Sequence, residues 1–320
     1  MPEIHNKDSD RYLGGDKVLR GFVVGCPRSG TTLVQSRLAV HPAIYSFPET
    51  QLFPRLIGTS KLLSGQTKYR NTRDKLLDYL RRITIAFGYV VGNPAHQNSK
   101  MQAIGEHINS DEFSSWIYPK TRHLGRLVDY AISKFDTSAT NEGCQCWIEK
   151  SPTHLRYLPF INRHVTEARV IHVVRDGRAT VASIWEASQN DYPYWRKNFP
   201  SIDACISTWN SDYERTMSYS GKAGHLLLNY HDFCTMPDVF AQQAREFLGV
   251  NDTSLNSMHC QTKANEGVIL DYEVWKESVK GPVSDYGLKK FNSLFSGSEK
   301  RQIEEGLRGA GVVPSFGDAP

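Results

Sequence analysis

Short apolar runs recur along this chain, each closed by a turn signal. Leu19–Gly25 (LRGFVVG) is β-rich and too short for a buried helix, so it predicts a strand. A Gly/Pro/Ser loop follows, then a helix-patterned stretch, Thr31–Val40, stopped by His41–Pro42. Ile44–Phe47 predicts a second strand, closed by Pro48. Cys146–Glu149 (CWIE), Arg169–Val174 (RVIHVV) and His225–Asn229 (HLLLN) predict three more. Arg178–Ala187 and Pro237–Leu248 predict helices, the second ending at Gly249. Residues 56–140 are charged and helix-periodic. Leu76, Leu77 and Leu80 share one helical face there, and Asn93–Pro94 breaks the pattern. That stretch reads as a helical insertion covering the substrate side. Strands alternating with helices predict an α/β fold, a three-layer sandwich around a central parallel sheet. Ligands of such sheets bind beyond the carboxyl ends of the strands.

The 320 residues suit one large domain, read as residues 18–320 behind a short disordered arm at 1–17. A composition 39% hydrophobic and 22% charged is that of a globular protein. The net charge of +4 is too small to argue for a nucleic-acid partner and suits one local anion site. No apolar run is long enough to cross a bilayer, and the polar N-terminus lacks a signal-peptide core. The expectation is a cytoplasmic protein away from membranes. Six cysteines lie scattered. Cys144 and Cys146 form a C-x-C pair with no second close pair to complete a zinc site, so reduced thiols and no metal are expected.

The first candidate chemistry lies between the first strand and its helix, in Gly25-Cys-Pro-Arg-Ser-Gly-Thr-Thr32. Two glycines allow backbone N–H groups to converge on an anion, and the helix N-terminus adds partial positive charge. Ser29, Thr31 and Thr32 bring hydroxyls, Gly30 the turn, and Arg28 a rigid cationic fork. The spacing is that of a nucleotide P-loop, but Thr31 stands where that loop needs lysine, which counts against a kinase or ATPase. A second cluster follows the strand Arg169–Val174. Arg175 caps the strand and Ser183 lies two turns into the next helix, placed to grip one phosphate together. A structural ion pair at Arg175 and a packing serine are the plainer alternative. Arg178 reads as a surface or ion-pairing residue.

Pro27-Arg-Ser-Gly-Thr-Thr32 resembles the 5′-phosphosulfate loop, P-[KR]-S-G-T-T, of sulfotransferases that use 3′-phosphoadenosine 5′-phosphosulfate (PAPS). The arginine form and the following His41–Pro42 are closer to the tyrosylprotein and bacterial members than to the cytosolic steroid and phenol enzymes. The resemblance covers roughly residues 19–50, 146–187 and 225–290. It implies a P-loop nucleotide-hydrolase-like fold, PAPS as co-substrate, and 3′-phosphate binding by Arg175 and Ser183. Lys280-Gly-Pro-Val-Ser-Asp-Tyr286 is similar to the family's R-K-G-x-x-G-D-W loop, with Lys280, Gly281 and Asp285 matching and Val279, Ser284 and Tyr286 departing. Tyr230-His-Asp-Phe233 sits where the family has Y-E-D-L, so Tyr230 borders the adenine or simply packs.

Sulfonate transfer resembles phosphoryl transfer, an in-line attack in which charge grows on the leaving oxygen. Arg28 is placed to meet that charge. Lys150, in E-K-S-P-T-H, matches a lysine of the tyrosylprotein enzymes that assists the leaving group. Glu49, in Pro48-Glu-Thr50, matches their catalytic glutamate and is the candidate base for the acceptor's proton. A helix-start glutamate and a strand-end lysine are the structural alternatives. His154 is the other candidate base; His96, His107 and His123 match nothing. The expected reaction moves sulfonate to a hydroxyl or amine without metal. A small-molecule acceptor is expected, with a saccharide or peptide not separated from it, and the oligomeric state is open. A non-catalytic binder of a bisphosphorylated adenine nucleotide and a P-loop kinase are the competing readings.

Overall fold

A computed structural model describes residues 18–57, 72–90, 94–190, 193–250 and 287–308. In chain order its elements are β1 (Leu19–Gly25), α1 (Thr31–Leu38), β2 (Ile44–Phe47), α2 (Leu52–Ile57), α3 (Thr72–Ala86), α4 (Asn98–His107), α5 (Asp111–Ser114) and α6 (Leu124–Asn141). Then come β3 (Cys146–Lys150), a 3-10 turn (Pro152–Tyr157), α7 (Leu158–His164), β4 (Ala168–Val174), α8 (Gly177–Gln189), α9 (Pro193–Asn198) and α10 (Ile202–Met217). The described chain closes with β5 (His225–Asn229), α11 (Tyr230–Thr235), α12 (Pro237–Leu248), α13 (Gly287–Leu294) and α14 (Gly297–Gly306). Every predicted strand is present. Helix α1 ends two residues early because the chain turns at once towards β2, with the His41 N–H bonded to the Leu38 carbonyl.

Among the described residues the strands form one parallel sheet in the order β2-β3-β1-β4-β5. The sheet alternates sides, as the pleat requires. Phe22, Val24, Tyr45, Phe47, Trp147 and Val170 point to one face and pack against α2 and α4–α7. Val23, Ile44, Cys146, Ile148, Ile171, Val173 and Leu228 point to the other, against α1 and α12. A third cluster joins the β1 loop to α8, α10, α13 and α14 through Cys26, Val181, Cys205, Trp209 and Phe291. The result is the expected three-layer sandwich.

Within residues 56–140, read as a cover for the substrate side, α4, α5 and α6 supply much of one helical layer. Phe113 and Phe135 are buried against Phe47, Phe135 also meets Trp147, and Trp116 is buried against Phe113 and Phe135. Burying each such ring contributes about 2 kcal/mol. In α3, Leu76 and Leu80 are 56% and 44% exposed and stand outside this layer. The cysteines also depart from expectation. Cys26, Cys146, Cys205 and Cys234 are free thiols, but Cys144 is disulfide-bonded. A C-x-C spacing holds two cysteines on one short strand start, and here Cys146 turns into the sheet's core while Cys144 precedes the strand. No described helix is long and apolar enough to cross a membrane.

Candidate active site

The carboxyl ends of the strands carry the candidate residues in spatial order. Glu49 follows β2, Lys150 ends β3, Arg28 lies in the loop after β1, Arg175 follows β4, and Tyr230 follows β5. The register fixes their level, since Lys150 sits opposite Val23, Val173 opposite Gly25, and Val174 opposite Asn229. Strand β1 is where the crossovers diverge, to β2 and β3 on one side and to β4 and β5 on the other. Such a switch point leaves a crevice at the sheet's carboxyl edge.

The loop after β1 folds tightly over its own strand. A Cβ on Gly25 would lie 2.6 Å from the Val173 carbonyl and 2.7 Å from Ser29 Oγ, so only glycine fits. Arg28 and Gly30 both take the left-handed conformation, at φ 70° and 94°. Gly30 starts α1 with no side-chain cap, which leaves the first-turn N–H groups at Thr31 and Thr32 for an outside acceptor. Ser29 is buried, and its Oγ has no hydrogen-bond partner among the described residues. A buried orphan hydroxyl beside uncapped amides is what an anion cradle requires. Thr31 is buried where a P-loop lysine would stand.

Arg28 leaves this loop towards α8. Its Nε donates to Ser183 Oγ at 3.2 Å, and its guanidinium lies 6.0 Å from the Trp195 ring. Burial lowers the pKa of this guanidinium; Glu186 opposes that and Arg175 adds to it. Arginine stays charged through such shifts. The Arg175 guanidinium lies 4.5 Å from the centre of the Tyr230 ring, and its Nη1 approaches the Arg28 carbonyl at 3.4 Å. The Tyr230 ring packs on Gly30, where a Cβ would approach it to 2.0 Å. Arg28, Gly30, Arg175, Ser183 and Tyr230 therefore form one cluster. Asp176 caps α8 by accepting from the Arg178 and Ala179 N–H groups, and it pairs with the Arg178 side chain at 2.8 Å. Arg178 is thus the ion-pairing residue expected. Lys280 and Gly281 lie outside the described residues. The chain beyond them returns as α13 beside α8, where Lys290 pairs with Glu186.

On the other side of β1, Lys150 Nζ donates to Glu49 Oε2 at 2.9 Å. The lysine is fully buried and the carboxylate one-fifth exposed. Gln51 donates to the other Glu49 oxygen. The two catalytic candidates are thus in contact, 101 positions apart in sequence.

Sequence reasoning missed what holds Glu49 in place. The neighbouring Thr50 donates to Glu149 Oε1 through its N–H at 3.0 Å and its hydroxyl at 2.7 Å. Ser151 Oγ donates to the same oxygen at 2.6 Å and accepts from the Gln51 N–H at 2.9 Å. Burial alone would raise the Glu149 carboxyl. His154 and the Ser151 and Thr50 hydroxyls outweigh burial and hold it below its ordinary range. His154 Nδ1 faces Glu149 Oε2 at 2.9 Å, while Nε2 accepts from the Phe53 N–H at 3.3 Å. The candidate base His154 is therefore fully buried, with Nε2 on the Phe53 N–H and Nδ1 turned towards Glu149. The signal was a polar pair, Glu149 at the end of the apolar run Cys146–Ile148 and His154 five positions on. Gln35 of α1 adds a second tie, donating to the Phe47 carbonyl at 2.6 Å and to Ser46 Oγ at 2.9 Å.

A family model described as the sulfotransferase family matches residues 22–254. The chain belongs to that family. It is an enzyme of the sulfotransferase class, and the matched span contains every described candidate above. Protein-tyrosine sulfotransferase 1 of Danio rerio is 23% identical over 300 residues, 91% of this chain and 68% of that protein. The Drosophila melanogaster protein-tyrosine sulfotransferase is 22% identical over 89% of this chain, and the match spans 49% of its own length. Among solved structures, the sulfotransferase domain of the Synechococcus PCC 7002 olefin synthase superposes with a TM-score of 0.54 at 19% identity, covering 92% of this chain and 95% of that one. The sulfotransferase domain of the curacin biosynthetic pathway gives 0.51 at 16% identity, covering 91% and 98%. These two likenesses establish the fold.

Proposed function

We propose that the enzyme transfers the sulfonate of PAPS to the phenolic hydroxyl of a tyrosine in a peptide or protein. The observation that carries this reading is the Glu49–Lys150 pair, one strand away from the anion loop. A nucleotide binder needs no carboxylate at that position. The names of the relatives move the acceptor from the small molecule expected from sequence to a peptide.

In this reading the uncapped start of α1, Ser29 and Arg28 hold the 5′-phosphosulfate, while Arg175, Ser183 and Tyr230 hold the 3′-phosphate and adenine. The donor supplies an activated sulfonate. Glu49 takes the proton of the phenol as its oxygen bonds to sulfur. The bond from sulfur to the bridging oxygen breaks, and that electron pair leaves with 3′-phosphoadenosine 5′-phosphate (PAP). Arg28 and Lys150 offset the charge gathering on that oxygen, which is the usual way such transfers are accelerated. With two cations so placed, no metal is needed, and turnover should survive a chelator. The disulfide at Cys144 favours an oxidising compartment over the cytoplasm.

The test is incubation with PAPS and a tyrosine-bearing peptide, read by mass spectrometry. Gain of one sulfonate on tyrosine supports the reading. PAP raising the melting temperature with no transfer to any peptide, saccharide or small alcohol would leave a nucleotide binder. Turnover that needs ATP and Mg²⁺ would revive the kinase.

A further inference from the structure

Helix α9 (Pro193–Asn198) buries none of its residues, yet it carries two adjacent aromatic side chains. Tyr194 is 62% exposed. Trp195 is half-buried, with Tyr194 edge-on to it at 5.7 Å and 88°. On its other side Trp195 stacks on Phe199 at 5.4 Å and 26°, and Phe199 is buried in the α8–α10 cluster. The pair is therefore anchored at one end and open at the other. Trp195 packs against that cluster on one side only, and Tyr194 leaves most of its ring in solvent, although rings are the side chains that gain most from burial.

Trp195 lies 6.0 Å from the guanidinium of Arg28, the cation of the transfer site. Tyr194 lies within electrostatic reach of Glu49 and Arg156. Crowding by the surrounding protein pushes its hydroxyl up, Arg156 opposes this and Glu49 adds to it. One aromatic edge thus starts beside the Arg28 guanidinium at Trp195 and ends in the open at Tyr194.

We infer that Tyr194 and Trp195 form an aromatic wall of the acceptor site, selecting a flat phenolic acceptor over an aliphatic alcohol. The inference rests on the tyrosine-acceptor reading and assigns its selectivity to named residues. A phenol standing against these rings gains an aromatic contact that a serine hydroxyl cannot make. Such contacts change a preference by roughly 3- to 10-fold.

Two probes test it with PAPS as donor: a short peptide with one tyrosine, and the same peptide with serine in its place. The wild type is expected to favour tyrosine. Tyr194→Ala and Trp195→Leu should each lower the tyrosine-to-serine ratio of kcat/KM by roughly 3- to 10-fold, mostly through KM. Tyr194→Phe and Trp195→Phe keep a ring and should retain the ratio. Tyr194 is exposed, so its variants test the wall even if Trp195→Leu fails to fold. The melting shift given by PAP should be the same in the Tyr194 variants and the wild type. An equal loss for both peptides, an unchanged ratio in Tyr194→Ala, or loss of the PAP shift with it would overturn the wall and leave the proposed reaction standing. A wild-type enzyme that binds PAP and modifies neither peptide would overturn the tyrosine reading itself.

Discussion

The two halves of the sheet's carboxyl edge are built on different principles. On the β4–β5 side, cations contact a ring and a hydroxyl, with Glu186 adding an electrostatic pull on Arg28: Arg175 lies over the Tyr230 ring, and Arg28 donates to the Ser183 hydroxyl. On the β2–β3 side a cation meets a carboxylate directly, in the Lys150–Glu49 pair, and a buried carboxylate beneath it fixes the backbone. A ring or a hydroxyl leaves a cation's charge intact, so the first side keeps positive potential for a permanent anion. An acid–base pair can shift a proton between states, which the first side cannot do. The donor half is thus suited to hold, and the acceptor half to react.

The sharpest way to break this contrast is Glu49→Gln, which keeps the shape and removes the proton acceptor. Turnover with a tyrosine peptide should fall by about 10²- to 10⁴-fold. Affinity for PAP, read by calorimetry, should hold, because a carboxylate gives an anion no attraction. Turnover within threefold of the wild type would place the base elsewhere. The reciprocal variant is Arg175→Ala. It should weaken PAP binding by about 30- to 150-fold, the value of charge-assisted hydrogen bonds of about 2–3 kcal/mol. Adenosine 5′-phosphate, lacking the 3′ group, should be affected far less. Equal losses for the two nucleotides would remove Arg175 from the 3′-phosphate. Lysine should restore only part, since it loses the fork and much of its planar contact with Tyr230.

The donor half was legible in the sequence because its residues are near one another in the chain. Gly25 to Thr32 is one loop, and Arg175 to Ser183 is one strand end and the helix after it, so spacing alone predicts much of the geometry. The acceptor half was legible only as single residues. Glu49 and Lys150 meet across a parallel strand pair, β2 with β3, joined by a crossover that contains α2 to α6. No local pattern encodes that contact. His154 shows the cost. A polar residue after an apolar strand reads equally well as a base or as a buried support, and no local pattern shows that it stands beside Glu149. In α3 periodicity reads the helix and not its cover: Leu76 and Leu80 lie on a helix as expected, and both are exposed.

Glu149 gives the next test, of intermediate size. It is fully buried and accepts three hydrogen bonds at one oxygen while facing His154 with the other. Glu149→Gln should cost about 2–3 kcal/mol in urea unfolding, because a protein-facing charge loses its partners. It should also lower turnover by displacing Thr50 and with it Glu49, while PAP affinity stays. A stable variant with normal turnover would show that the two halves need no such support.

The smallest expected effect separates the halves by acid. The β4–β5 side of the sheet holds a histidine pair, the buried His172 and the half-buried His225, whose ring nitrogens lie 2.9 Å apart. Tyr219 stacks on His172, and Asn162 meets the far nitrogen of His225 at 3.1 Å. Burial, helped by His225, pulls His172 from 6.5 down to about 3. Burial, helped by Lys222, pulls His225 from 6.5 to about 4. Both imidazoles are therefore neutral in the folded chain at pH values where the unfolded chain would protonate them. Stability from this pair is complete above about pH 6.5 and declines as pH falls from there towards 4, since the unfolded state binds the extra protons. Each proton adds a slope of about 1.4 kcal/mol per pH unit. Glu149 acts in a different window. Its carboxyl is held below its ordinary 4.5, so its contribution persists above that value and is lost only at lower pH. His172→Gln should therefore flatten the stability profile between about pH 6 and 4.5 by roughly one proton's slope and leave the profile below it steep. Urea midpoints at half-unit pH steps measure this. Parallel profiles for the wild type and the variant would mean that His172 titrates as it does in the unfolded chain, and the histidine pair would then contribute no acid sensitivity to the β4–β5 side of the sheet.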